Sequence, residues 1–157
     1  MPQVGDFWES YRTDEFVVTI DGVESPSITK VSGLSDGEYD TIEQPDGGNT
    51  RIHKISSTKV KFDPVTIERN VDGSPEDERF QAWFKEAFDP AGQTQGGSSV
   101  RKNGIIEKRH NGETVLSFAF YGAWIKSSKF NDLEAGSNNL FKQTIVLEIE
   151  YMERLPT

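Results

Sequence analysis

FKQTIVLEIEYMERL, residues 141–155, decides the fold class. Ile145, Leu147, Ile149 and Tyr151 fall at every second position, with Thr144, Val146, Glu148 and Glu150 between them. A helix repeats its apolar positions every three to four residues, whereas a pleated strand repeats them every two. The segment is therefore predicted to be a strand, the longest such signal in the chain. The same alternation recurs upstream. Leu116, Phe118 and Phe120 alternate with Ser117, Ala119 and Tyr121, and Phe16, Val18 and Ile20 open another strand. Arg51 to Ile55 and Lys59 to Arg69 alternate as well, with Val60 and Phe62 on one face and Val65 and Ile67 resuming after Pro64, where a break, bulge or edge is expected. Tyr39 to Glu43 is a further short strand.

Turn chemistry separates these runs. Asp21-Gly22 marks a hairpin whose return strand is expected near Ile28 to Leu34, and Pro45 to Gly48 marks another turn. Asn103-Gly104 and Asn111-Gly112 are two more turn signals. One helix interrupts the pattern, at SPEDERFQAWFKEAFDP, residues 74–90. Ser74 is suited to the N-cap and Pro75 to the first helical position, and Glu76 and Asp77 place negative charge at the positive end of the helix dipole. Phe80, Trp83, Phe84, Ala87 and Phe88 then form one apolar stripe, so Phe80, Trp83, Phe84 and Phe88 are expected to pack the helix (75–88) across a sheet, and Asp89-Pro90 to end it. The predicted architecture is mainly β: an antiparallel β sandwich or barrel with one packed α-helix, in a single domain spanning 1–157. It has an N-terminal arm (1–15), an extended segment at 40–58 and a flexible loop at 91–99.

Composition narrows the function. The 157 residues contain only 34% hydrophobic side chains but 11% aromatic ones, so the core must rely on large rings. A net charge of −9 opposes binding to a nucleic-acid backbone, which depends on Lys and Arg displacing condensed counterions. With no cysteine there is neither a disulfide framework nor a thiolate metal site. No apolar run approaches the roughly 20 residues a membrane span needs, and MPQVGDFWESYRTDEF lacks the basic and apolar regions of a signal peptide, so no membrane anchor is expected and the chain is expected to be cytosolic when made.

Catalytic patterns are missing. The only histidines, His53 and His110, sit beside turns among basic residues, and no Ser lies in a G-x-S-x-G elbow. The carboxylates of PEDE (75–78) are explained by the helix dipole. Asp132 and Glu134, in NDLE (131–134), could pair as acid and base, but the segment is read as a polar turn before Gly136. SGLSDGEYDTIEQPDGGNTRIHK (32–54) is glycine-rich, as a phosphate cradle is, but neither nucleotide-binding spacing is present, no helix follows Gly47-Gly48, and Asp40, Glu43 and Asp46 would oppose an anion. No cofactor, metal or enzymatic activity is expected. Gly47 and Gly48 are read as supplying flexibility and positive φ at a turn.

The order of these pieces resembles the tail-tube family of contractile phage tails and phage-derived contractile injection systems. The resemblance runs through FVVTIDGV, VSGL at 31–34, the acidic segment ending in DGG at 46–48, HK at 53–54, VTIER at 65–69 and RFQAWF. It continues through RKNGIIEKRHNG, AWIK at 123–126 and IVLEIEYMERL. The chain departs from the family at Ser56-Ser57, Arg69-Asn70 and Ile125, which would alter turns more than the sheet. What the resemblance implies is a homohexameric ring whose subunit sheets join around a lumen, and rings stacked into a tube inside a contractile sheath. Baseplate, spike and terminator proteins would be further partners, and toxin protein or DNA the luminal cargo, in a particle assembled in the bacterial cytoplasm. It also implies that the 40–58 segment stacks rings, through Glu43, Asp46, Gly47, Gly48, Asn49, Arg51 and His53. The same fold is similar to the secreted hexameric ring protein of type VI secretion, which stands as the alternative. A monomeric carbohydrate-binding or hydrolytic β domain, with Trp124, Tyr121 and Trp8 as its platform, is a third.

Two physical points agree with assembly. Unpaired edge strands are satisfied when they pair across subunits, and a chain poor in apolar residues gains stability from contacts that bury on the order of 2,000 Å².

Overall fold

A computed structural model describes residues 3–4, 7–8, 10–25, 28–48, 50–88 and 101–156. Gln3–Val4 (β1) and Phe7–Trp8 (β2) pair with each other. Phe16–Ile20 (β3) turns at Asp21 (φ 52°) and Gly22 (φ 80°) into Val23–Ser25 (β4), as the two left-handed residues of a tight hairpin require. The return strand is thus three residues long and not the expected 28–34. Ile28–Ser32 (β5) instead crosses to pair with Val65–Asn70 (β8), because a two-residue turn brings the chain back at once and leaves Ile28 and Val31 to the other sheet.

Two antiparallel sheets share one strand. Glu113–Phe130 (β10) has 18 residues, making it the longest strand. Its first half lies between Lys102–His110 (β9) and Tyr151–Leu155 (β12), extending a sheet that continues through β3 to β4. Its second half pairs with Lys142–Glu148 (β11), which leads through β8 to β5. Register shifts between Phe120 and Ala123 and between Ile125 and Ser127, together with Gly122 at φ 65°, let β10 bend from one sheet into the other. Val18, Ile20, Ile106, Phe120 and Met152 from the first sheet then meet Val65, Ile67, Ile125, Ile145 and Leu147 from the second in one core.

Helix α1, Pro75–Ala87, closes the core. The Ser74 Oγ accepts a hydrogen bond from the Asp77 N–H at 3.3 Å, and Pro75 follows at the start of the helix. Phe80 and Trp83 are buried and Phe84 partly so. Burial of the first two side chains contributes roughly 1.5–3 kcal/mol each. Phe88 corrects the expected stripe: it is 46% exposed, because the helix ends at Ala87 and Phe88, at φ −111°, turns away from the packed face. The Asp89-Pro90 stop and the 91–99 loop lie outside the described residues.

Two further expectations are corrected. Asn103-Gly104 is not a turn but lies within β9, where a Cβ on Gly104 would sit 2.3 Å from the Phe120 ring and 2.8 Å from the Thr19 carbonyl oxygen. That glycine permits close packing. The last strand signal is two strands: Ile149-Glu150 interrupts it, the Glu150 N–H donates to the Tyr121 carbonyl, and the alternation resets. Met152 therefore takes the inner position and Tyr151 the outer one.

Candidate assembly interface

The segment expected as an extended loop at 40–58 is a hairpin arm, Glu38–Pro45 (β6) paired with Ile52–Lys61 (β7) with a register shift between Tyr39 and Thr41, and it joins neither main sheet. Tyr39 faces Val60, Ile42 faces Ile55 and Pro45 faces Ile52, with Glu38 opposite Lys61 and Glu43 opposite Lys54. Every residue of β6 is exposed, and every residue of β7 except Ser57. A two-stranded ribbon with no covered face is marginally stable in water, and both of its edges present unpaired backbone groups.

The structure brings several of the sequence-selected residues together near the tip. Asp46 Oδ2 lies 3.6 Å from His53 Nε2, and the Asp46 N–H donates to the Arg51 carbonyl. Glu43, Gly47, Gly48 and Arg51 are exposed beside them, while Asn49 lies outside the described residues. The positive φ expected of both glycines falls on Gly48 alone (φ 80°). Charge is segregated: β6 carries Glu38, Asp40 and Glu43, whereas β7 carries His53, Lys54, Lys59 and Lys61. Near the base, Lys61 Nζ meets Asp40 Oδ1 at 2.5 Å, and that hydrogen-bonded carboxylate raises the lysine pKa above its ordinary value.

Where the arm meets the body, Gly33 (φ 92°) approaches Pro64 so closely that a Cβ would stand 2.2 Å from the proline carbonyl oxygen. Phe62 packs edge-on against Tyr151 at 5.4 Å. Pro64 lies in the three-residue break between β7 and β8, where an interruption was expected. Tyr151 stacks on Tyr121 at 5.9 Å, and both hydroxyls donate to the Glu153 carboxylate. The hydrogen bond to Glu153 is the main cause of the raised Tyr121 pKa. The two rings occupy each other's faces, which weakens them as a sugar platform. Trp124 is exposed nearby, and the side chain of Trp8 lies outside the described residues.

One buried cluster escaped sequence reasoning. Arg69, the last residue of the alternating run from Lys59, lies with its neighbour Asn70 at the end of β8 and is fully buried. Its Nη1 lies 2.6 Å from Asp77 Oδ1 and donates to Gln143 Oε1 at 2.8 Å, and its guanidinium sits 5.1 Å from the centre of the Phe80 ring. Gln143 Nε2 donates onward to Ser128 Oγ. Val65, Ile67 and Arg69 share one parity of β8, which was the signal available. Asp77 thus does more than complement the helix dipole: it neutralises a cation that the sheet has placed in the core.

Among the described residues no group of acids and histidines could hold a metal ion, Asp132 and Glu134 are exposed, and His110 stands at the end of β9. Among the described residues no helix is long and apolar enough to cross a membrane.

Comparison with known proteins places this arrangement. The family described as T4-like virus tail tube protein gp19 matches residues 12–153. A chain of the sheath-tube complex of PVC, an extracellular contractile injection system, in its extended state superposes with a TM-score of 0.74 at 22% identity, over 94% of this chain and 93% of that one. A chain of the tube-terminating cap of the anti-feeding prophage gives 0.74 at 24% identity over 97% and 96%. Hcp1 from Flavobacterium johnsoniae gives 0.54 at 21% identity over 90% and 94%. These likenesses establish a shared fold. No curated protein gives a significant match.

Proposed function

The chain belongs to the tail tube protein family of T4-like viruses, and from that premise we propose that six copies close into a ring and that rings stack into the inner tube of a contractile particle. The observation that carries this reading is the arm: residues 38–61 form a ribbon with all but one residue of its two strands exposed, a surface that an isolated monomer has no use for. The unpaired outer edges of β4 and β5 supply further backbone groups that neighbouring copies can satisfy. In this reading the tube lies within a sheath, meets baseplate and spike at one end and a terminator at the other, and conducts toxin protein or DNA. It is built in the bacterial cytoplasm and has no catalytic role. The charge of −9 suits a conduit, since an acidic wall repels DNA or an acidic cargo within about 8 Å at physiological salt.

Electron microscopy of the purified chain tests the reading. Hollow tubes of stacked rings are expected. Isolated rings at every concentration would favour a secreted ring protein of the type VI kind, and a monomer at high concentration would eliminate both. Deleting residues 45–50 is expected to leave rings and abolish stacking; tubes of normal length in that variant would remove the stacking role of the arm.

A further inference from the structure

The strand register fixes where the arm stands relative to a second unusual surface. Val65, Leu147 and Ile125 are neighbours at one end of the second sheet, where β5 exits toward the arm and β7 returns from it. At the other end of the same strands Asn70 faces Lys142 and Gln143 faces Phe130, and there β10 and β11 are joined by residues 131–141. The arm leaves from one end of the sheet, and the β10–β11 connection caps the opposite end.

That connection and the strand end leading into it expose three apolar side chains. Leu133 is 85% exposed, Leu140 63% and Phe130 53%. It is nonetheless held in shape. The Asn131 Nδ2 donates to the Leu140 carbonyl at 3.0 Å, the Lys142 N–H donates to Asn131 Oδ1 at 3.1 Å, and the Asn131 N–H donates to the Lys142 carbonyl at 3.2 Å. A concavity of about 160 Å³ opens between Leu133, Leu140, Phe141 and the acids Asp132 and Glu134. Asn131, Ser137 and Asn139 complete its lining, so its wall is polar as well as apolar. Residues 131–140 contain two acids and no Lys or Arg. At the tip of the arm, the first residues of the basic strand and its approach are Arg51 and Ile52, a cation beside an exposed branched aliphatic.

We propose that the 131–140 connection is the socket in the next ring that receives the tip of the arm, with Ile52 seated against Leu133 and Leu140 and Arg51 against Asp132 and Glu134. The partner is a second copy of this chain, displaced along the tube axis. Three features favour it: the two surfaces lie at opposite ends of one sheet, each carries exposed aliphatic side chains, and the basic strand of one is opposite in charge to the acidic loop of the other. Such a contact is heterologous, so it repeats from ring to ring without closing on itself. The inference rests on the stacked-tube reading and adds the identity of the receiving surface.

The absence of cysteine from the natural chain makes the test free of background. The double variant Ile52→Cys/Leu133→Cys is assembled under reducing conditions, imaged, then oxidised or treated with a short bis-maleimide and run on a denaturing gel. The expected result is a ladder extending to long covalent oligomers. Each single variant alone gives none, and a mixture of the two gives dimers only. Tubes that yield no ladder with either reagent would overturn the socket while leaving the tube intact; a wild-type chain that never forms tubes would remove the tube reading and the socket with it. Leu133→Asp provides a second reading, because so exposed a residue can be changed without disturbing the core. Loss of tubes with rings of unchanged size is expected, and tubes of wild-type length would overturn the proposal.

Discussion

Replacing Asp77 by Ala separates the buried ion pair from the rest of the helix cap. In the native chain the Arg69 guanidinium has one carboxylate oxygen at 2.6 Å, one amide oxygen at 2.8 Å and the Phe80 ring at 5.1 Å, while its Nε and Nη2 have no hydrogen-bond partner among the described residues. Its side chain is fully buried and that of Asp77 is 12% exposed, so water cannot substitute for the lost carboxylate. The cap itself survives, since Ser74 binds the backbone of residue 77 rather than its side chain. What remains is an uncompensated cation in the core, a change that costs about 3–5 kcal/mol. For a domain of this size each kcal/mol lowers the melting temperature by about 2–4 °C, so a fall of about 6–20 °C is expected. Urea unfolding followed by tryptophan fluorescence, at one fixed protein concentration because assembly contributes to apparent stability, gives the free energy directly. The double replacement Arg69→Met/Asp77→Leu, which exchanges the pair for apolar groups of similar volume, is expected to recover most of the loss. A loss below about 1 kcal/mol for Asp77→Ala, or a double variant no better than the single, would refute the claim that this carboxylate compensates a buried charge.

Two comparisons test the packing. Trp83→Ala is expected to cost about 3–5 kcal/mol and Phe88→Ala less than about 0.5 kcal/mol, because the first ring is buried and the second is largely exposed; similar melting temperatures for the two would mean that the helix face has been misread. Gly104→Ala must push a methyl into the Phe120 ring and the Thr19 carbonyl and is expected to cost about 1–3 kcal/mol or more. Gly47→Ala, with nothing within 4 Å of the added carbon, is expected to leave the unfolding midpoint unchanged.

Much of the fold was legible because its signals are local. Ser74, Pro75 and the spacing of Phe80, Trp83 and Phe84 specify α1 without reference to anything distant, and Asp21-Gly22 and Asn111-Gly112 impose their turns through backbone preference alone. The failures lie where a distant contact outvotes a local preference. Asn103-Gly104 has the chemistry of a hairpin turn, yet Phe120, sixteen residues away, needs the space a side chain would fill. Tyr151 continues the alternation of Ile145, Leu147 and Ile149, but a two-residue break ahead of β12 reverses which face points inward. Phe88 fits the helical stripe on paper, and the helix ends one residue before it. At the candidate interface the arm's position was legible from its turn residues and the resemblance, and its pairing was partly so, from Tyr39 to Glu43 and Arg51 to Ile55. Residues 131–134 read as a polar turn before Gly136, because sequence displays Asp132 and Glu134 but not how far Leu133 projects. Its relation to the arm depends on strand register, which pairs Phe130 with Gln143 and no single segment encodes.

An appendage carried at one end of the subunit gives any stack of these rings a direction. In the proposed stack one terminus would expose bare arms and the other empty cups, so initiation and capping would demand two chemically different proteins, and neither could serve in the other's place. Because nothing in such a repeat counts copies, the length of the finished filament must be measured by something outside this chain.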